Sequence, residues 1–231
     1  ERAGFQVGDV VTAIDGKNNS FVHINTGLIP SAIAVNPATH KVYVANEDDN
    51  NVTIIDGLTN TFVNVPVGTG PFDVAVNQLT NRIYVPNRVT NNVTVIDGTN
   101  NSTTSIAVGT SPRKVAVDHA ANKIYVTNVN SNNLTVIDGV NNATTTVATN
   151  DTPWSLAVNP VTGKVYIAYN TETTNVTVLT PVQSTVVPLN TAVTPLSSNT
   201  TTSVKPTFAM AATSGYSPTP PPPQAIYFQT D

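Results

Sequence analysis

The triplet Ile-Asp-Gly stands at Ile14-Asp15-Gly16, Ile55-Asp56-Gly57, Ile96-Asp97-Gly98 and Ile137-Asp138-Gly139, with a step of 41 residues between copies. A proline keeps that step at Pro30, Pro71, Pro112 and Pro153, and so does a tyrosine at Tyr43, Tyr84, Tyr125 and Tyr166. A sequence that returns on itself at a fixed interval folds into like units, and units this small hide their apolar faces only against one another.

Inside each unit the signals are those of strands. In the unit opened by Pro71, Phe72–Asn77 reads as strand a, Arg82–Pro86 as b, Asn92–Asp97 as c and Thr103–Val108 as d. Val93 and Val95 alternate with Thr94 and Ile96, the period of two of a half-buried strand. Asn and Gly punctuate the turns. A period of about 40 to 45 residues with four short strands is the mark of a β-propeller blade. The fold class is therefore all-β, with a half blade over 5–29, blades over 30–70, 71–111, 112–152 and 153–193, and a Thr/Ser/Pro-rich linker from 194. Each repeated Asp is expected to accept local backbone hydrogen bonds in a hairpin whose Gly supplies positive φ. The repeated tyrosines are expected to pack between neighbouring blades. The fourth unit drifts: Leu179-Thr180-Pro181 replaces Ile-Asp-Gly, as befits the end of an array.

Of the 231 residues 39% are hydrophobic and 10% charged, and no run approaches the roughly 18 apolar residues that span a membrane. The net charge of -4 leaves no electrostatic footprint for nucleic acid. No cysteine is present, which removes disulfides, thiolate metal sites and cysteine nucleophiles. Abundant Asn and Thr suit an extracytoplasmic protein. His23, His40 and His119 fall on different loop types with no partner at metal-ligand spacing, and neither a phosphate loop nor a nucleophile elbow occurs. No cofactor or metal is expected. Asn-x-Thr sequons come with the repeated strand c and do not imply glycosylation.

The segments Val42–Asn46 (VYVAN), Ile83–Asn87 (IYVPN) and Ile124–Asn128 (IYVTN), each followed by a strand of the type VTVIDG, resemble the YVTN β-propeller repeat. The resemblance covers about residues 9–180. It implies a seven-bladed ring of the kind seen in surface-layer-type and YncE-like secreted proteins, so further blades are expected upstream. Ala3–Lys17 also resembles a stretch of PDZ domains, but the register of its Ile-Asp-Gly favours the half blade. Beyond the polyproline segment Pro218–Pro223 (PTPPPP), Ala225–Thr230 and, before it, Thr207–Ala211 resemble the opening of an immunoglobulin-like domain.

Blades present their d–a and b–c loops on one rim, so residues that differ between units there are the candidate ligand contacts. After the repeated prolines stand Ser31-Ala32, Phe72-Asp73, Arg113-Lys114 and Trp154-Ser155; the b–c loops carry Glu47-Asp48-Asp49, Arg88-Val89-Thr90, Asn130-Ser131 and Thr171-Glu172-Thr173. Phe72 and Trp154 as stacking faces, with Arg88, Arg113 and Lys114 beside Asp73, suit a glycan, peptide or protein partner. Glu47-Asp48-Asp49 is more simply an acidic turn than a calcium loop. The expected function is a non-catalytic, secreted, cell-surface or periplasmic binding scaffold. The alternatives are a propeller enzyme of the lactonase, lyase or quinoprotein-dehydrogenase type, which the resemblance admits, and a DNA-associated propeller.

Overall fold

The computed structural model describes residues 9–149, 151–170 and 176–180, and the backbone of 190–193 and 210–213. All regular elements among them are β-strands. β1 (Val10–Ile14) and β2 (Phe21–Asn25) form an antiparallel pair. β3 (Pro30–Asn36), β4 (Lys41–Asn46), β5 (Asn51–Asp56) and β6 (Phe62–Pro66) form a four-stranded sheet in chain order. The same meander recurs in β7 (Ala75–Asn77), β8 (Arg82–Asn87), β9 (Asn92–Asp97) and β10 (Thr103–Ala107), and again in β11 (Pro112–Asp118), β12 (Lys123–Asn128), β13 (Asn133–Asp138) and β14 (Thr144–Ala148). β15 (Pro153–Val158), β16 (Val165–Tyr169) and β17 (Thr177–Leu179) follow as a three-stranded sheet.

These sheets belong to one compact unit, Glu1–Pro181. In the second unit, Val182–Asp231, β18 (Asn190–Val193) pairs with β19 (Met210–Thr213). Residues 190–193, which the sequence pattern assigned to the fourth blade, thus pair within this second unit. The expected strand at Ala225–Thr230 and the polyproline run lie outside the described residues.

Within the first unit the sheets meet through their opening strands, β3 on β7, β7 on β11 and β11 on β15. Their last strands, β6, β10 and β14, are exposed at nearly every position. The sheets therefore converge at one edge and splay at the other, as blades do. The core lies between them. Tyr43, Val52 and Ile54 pack against Val76, Ile83 and Val85 of the next sheet; Tyr84, Val93 and Val95 pack against Val115, Ile124 and Val126; Tyr125 and Leu134 pack against Val165 and Ile167. The period of two makes this possible, since the tyrosine side of each second strand faces onward while Val44 on the other side packs back on Ile24 of β2. Tyr43 and Tyr84 are fully buried and Tyr125 is 7% exposed, but Tyr166, with no described sheet beyond it, is 38% exposed.

Two local expectations are corrected. Strand a of the second sheet was expected over 72–77, but β7 begins at Ala75 and is preceded by an isolated bridge between Pro71 and Asn87. Pro86, opposite the missing part, has no N–H to give the ladder, whereas Ala45 and Thr127 at the equivalent places do. Nor do the glycines after the repeated aspartates take positive φ; that conformation falls to Asn60, Asn101 and Asn142 at the far end of each turn. Glycine is required there by close approach. A Cβ at Gly57 would stand 2.6 Å from the His40 carbonyl oxygen, and at Gly98 and Gly139 it would strike the side chains of Asn81 and Asn122.

The aspartates themselves behave as expected. Asp56 Oδ1 accepts from the N–H groups of Leu58 and Thr59 at 2.9 and 3.0 Å, Asp97 from Thr99 at 2.8 Å and Asp138 from Val140 at 2.8 Å. These backbone bonds hold the Asp56 and Asp97 carboxyls below their ordinary value, while for Asp138 the Lys123 ammonium, 2.6 Å away, comes first. A carboxyl depressed in the folded state contributes stability that is complete above its unfolded value and lost as pH falls through the folded one.

Two outcomes follow from this packing and turn chemistry. Tyr84→Ala should cost about 3–5 kcal/mol and Tyr166→Ala less than about 1 kcal/mol, read from denaturant unfolding curves; equal losses would contradict burial by the succeeding sheet. In melts between pH 7 and pH 2, stability should fall below about pH 4, and the combined replacement of Asp56, Asp97 and Asp138 by Asn, which retains the accepting oxygen, should flatten that decline.

Candidate functional site

One edge of the sheets is built by loops that fasten to each other. The backbone N–H of Leu28 donates to Asp49 Oδ2 at 2.9 Å, that of Thr69 to Thr90 Oγ1 at 3.1 Å and that of Thr110 to Ser131 Oγ at 2.9 Å, so each loop entering a sheet is tied to its second turn. The next sheet is clamped by the residue that opens strand c. Asp9 Oδ2 accepts from Ile29 N–H at 2.6 Å, Asn50 Oδ1 from Gly70 N–H at 2.9 Å and Asn91 Oδ1 from Ser111 N–H at 2.8 Å. Asn50 and Asn91 reach across because their backbones are left-handed, with φ of 53° and 54°, which Asn tolerates better than most residues. Behind them, the side-chain amides of Asn46, Asn87 and Asn128 each donate to the following Asn and to a buried Thr hydroxyl at 2.7–2.9 Å. The edge is rigid.

On this frame the residue after three of the four repeated prolines is extruded. The pairing register slips between Pro30 and Ala32, between Pro112 and Val115, and between Pro153 and Ser155. Such a bulge places an unpaired residue out of the ladder and re-aims its side chain. The residues concerned are Ser31, Arg113 with Lys114, and Trp154; Phe72 holds the same place in the second sheet, where its N–H donates to Pro86 O at 3.0 Å.

These side chains join across sheets in one ladder. The Arg113 guanidinium lies over the Trp154 ring, 3.5 Å from its centroid, and over Phe72 at 4.5 Å; Arg88 lies over the same Phe72 at 5.5 Å and faces Glu47 Oε1 at 3.8 Å. Beneath it, Lys114 Nζ is 3.3 Å from Asp73 Oδ1, and Val115 N–H donates to Asp73 Oδ2 at 3.0 Å. Asp73 is 8% exposed, and burial pushes its carboxyl above the ordinary value against those bonds. Burial also lowers the Arg113 value, followed by repulsion from Arg88. Arg113 Nε is buried and meets no hydrogen-bonding partner among the described residues.

The chain is similar to the hydrazine synthase of Kuenenia stuttgartiensis (TM-score 0.61, 24% identity, 68% of this chain and 47% of that one) and to the dihydro-heme d1 dehydrogenase NirN (0.66, 18%, 74% and 39%). A chain of the nidogen/laminin complex gives 0.55 and 13% identity over 68% of this chain and 65% of that one. The fold is of the β-propeller type. No protein-family profile matches the sequence, and no curated protein does. The chain spans less than two thirds of each of these three propeller structures.

The propeller fold brings all six expected site residues into one region, but divides them. Phe72, Arg88, Arg113 and Trp154 form the upper ladder, whereas Asp73 and Lys114 form a partly buried pair under it. Phe72 and Trp154, expected as stacking faces, each carry a guanidinium group on one ring face, and Trp154 remains 37% exposed. Of the acidic turn, Glu47 faces Arg88 and Asp49 is spent on the Leu28 N–H. No three His, Asp or Glu side chains converge as for a metal among the described residues. His23 Nδ1 is 3.1 Å from Thr12 Oγ1, and His40 fills a left-handed turn position that is Asn in the next two sheets. Thr171-Glu172-Thr173 lies outside the described residues. The sequence did contain the signal for the ladder. Glu47 with Arg88, Asp73 with Lys114, and Phe72 with Arg113 and Trp154 are each 41 residues apart, so residues in one column of the repeat become neighbours.

Removing the central rung tests the ladder directly. Arg113→Ala should expose Trp154, giving red-shifted emission and faster acrylamide quenching, at a stability cost of about 1–2 kcal/mol; unchanged quenching would mean that the two side chains do not stack in solution.

Proposed function

We propose that this chain is a non-catalytic binding and display propeller of a secreted, cell-surface or periplasmic protein, and that its ladder edge is the ligand-facing rim. In this reading the 41-residue units are YVTN-type blades of a seven-bladed ring, and the second unit opens an immunoglobulin-like domain. The observation that carries the binding role is where variation falls. Between sheets the tyrosines, the turn aspartates and the Asn clamps repeat, while the position after each proline holds Ser, Phe, Arg or Trp. A rigid frame with differing side chains along one edge is how loops on a scaffold acquire function.

Fold likeness alone does not choose between binding and catalysis. The similar structures include enzymes by name, and one, nidogen, was solved in a complex with laminin. Among the described residues, Glu47 faces an arginine, Asp73 a lysine and Asp49 the Leu28 N–H, so these three carboxylates are each engaged by a donor or a cation. Among the described residues, no helix is long and apolar enough to cross a membrane.

The test is a comparison of surfaces. The full chain, a rim variant (Phe72→Ser, Arg88→Ala, Arg113→Ala) and an outer-strand variant (Thr104→Ala, Thr145→Ala) are screened on peptide and glycan arrays. Binding should be lost in the rim variant and kept in the outer-strand variant; the reverse would overturn the assignment of the rim.

A further inference from the structure

The four Ile-Asp-Gly triplets close the same hairpin in different surroundings. In each, the Asp N–H donates across the turn at 2.8–2.9 Å, from Asp15 to Ser20 O, Asp56 to Thr61 O, Asp97 to Ser102 O and Asp138 to Ala143 O. In each, Asp Oδ1 accepts from the N–H two residues on, that of Lys17, Leu58, Thr99 or Val140. Asn19, Asn60, Asn101 and Asn142 end the turns in the same left-handed conformation. The glycines are what differ. Gly57 N–H donates to His40 O at 2.8 Å, Gly98 to Asn81 O at 2.8 Å and Gly139 to Asn122 O at 2.9 Å, and a Cβ at any of the three would collide with that neighbouring turn. Gly16 N–H has no acceptor among the described residues, and a Cβ there would meet nothing within 4 Å.

An aspartate followed by glycine can react with its own backbone. Glycine has no Cβ to obstruct the approach and turns its peptide plane freely. Its nitrogen attacks the Asp Cγ and forms a C–N bond, while the amide proton and the carboxyl OH leave as one water. The product is a five-membered succinimide. Water then adds to the former main-chain carbonyl of the Asp and breaks its bond to the nitrogen, which leaves isoaspartate, with the chain running through Cγ and a free α-carboxylate. Nothing but water takes part. A glycine N–H that is already bonded to a carbonyl must first give up that bond, and inside a packed turn its peptide plane cannot rotate for attack.

We infer that Asp15 is a site of spontaneous isoaspartate formation, from which the other three copies are protected by the first turn of their own sheets. His40, Asn81 and Asn122 are the left-handed last residues of those turns, with φ of 58°, 51° and 49°, and their carbonyls hold the glycines. β1 and β2 form a two-stranded sheet with no such turn beside them among the described residues. The protection is graded, since Gly98 and Gly139 are buried whereas Gly57 is bonded but exposed. Asp15 should therefore convert first, Asp56 next, and Asp97 and Asp138 last. At Asp15 the change adds one carbon to the main chain beside the Ile14–Phe21 pair and removes the Oδ1 that accepts from Lys17, so the β1–β2 hairpin loosens at its closed end.

The experiment ages the full chain in mildly acidic buffer at physiological temperature. Conversion at each site is followed by peptide mapping with electron-transfer fragmentation, which separates isoaspartate from aspartate at equal mass, and by labelling with an isoaspartate-directed carboxyl methyltransferase. Isoaspartate should accumulate at Asp15 at least about tenfold faster than at Asp97 or Asp138. In concentrated urea, where the sheets are lost, the four rates should converge. Gly16→Ala, whose added carbon meets open space, should keep its melting curve and slow conversion at Asp15. Like rates at the four sites of the folded chain, faster conversion at Asp97 or Asp138, or no conversion at Asp15 would overturn the inference. A lead of Asp15 that persists undiminished in urea would place the cause in local sequence and overturn the protective role of the turns.

Discussion

A meander of four strands has two faces and cannot hide both by itself, and the stacking of one sheet's tyrosine face on the next sheet's aliphatic face is what every other feature of this molecule presupposes. The alternation of side chains along β4, β8 and β12 sorts each strand into a forward-facing tyrosine side and a backward-facing valine or isoleucine side. Because the sheets touch at their first strands and diverge at their last, this contact sets a fixed offset between consecutive units. The offset then decides what else can touch. Lys41 Nζ reaches the Gly98 carbonyl at 2.9 Å and Arg82 Nη1 the Gly139 carbonyl at 3.2 Å, both one sheet onward. Lys123, at the same place in the third sheet, pairs with Asp138 of its own sheet.

Polar chemistry finishes what burial begins. At the turns opposite the ladder, Asn36 donates to Asn81 at 2.9 Å and Asn77 to Asn122 at 2.7 Å across neighbouring sheets. Together with the Asn50 and Asn91 clamps, they pin the two junctions among the three four-stranded sheets at both ends. Apolar stacking is non-directional and tolerates sliding, whereas paired amides do not. The double-asparagine motif that opens strand c therefore has a division of labour: the first Asn turns left-handed to hold the next sheet, and the second receives the amide of its own sheet's second strand.

Much of this was legible in the residues. The period, the strand order, the inward tyrosines and the Asx role of the turn aspartates all follow from patterns that repeat, because a repeated residue answers a repeated environment. What escaped notice was either non-repeating or non-local. Pro86 shortens β7 because one missing N–H matters only to the strand opposite. Gly57, Gly98 and Gly139 resemble φ-driven hairpin glycines, yet it is the neighbouring a–b turn pressing on them that excludes a side chain, a contact no local motif announces. The rim residues are legible as variable loop positions with cations beside Asp73, but which of them touch is set down the column of the repeat, where opposite charges and ring–cation pairs stand 41 residues apart.

That column logic ties recognition to stability. A residue extruded by a bulge in one sheet meets its counterparts in the sheets on either side, so Arg113 rests on both Phe72 before it and Trp154 after it. Altering it changes two junctions at once, and a new ligand preference built by a single substitution would leave two aromatic rings uncovered. Compensated changes, in which a cation and its ring partners move together, keep the junctions closed. One face of the Trp154 ring holds the Arg113 guanidinium while the side chain stays 37% exposed, so stacking fixes the direction of the guanidinium without burying the ring.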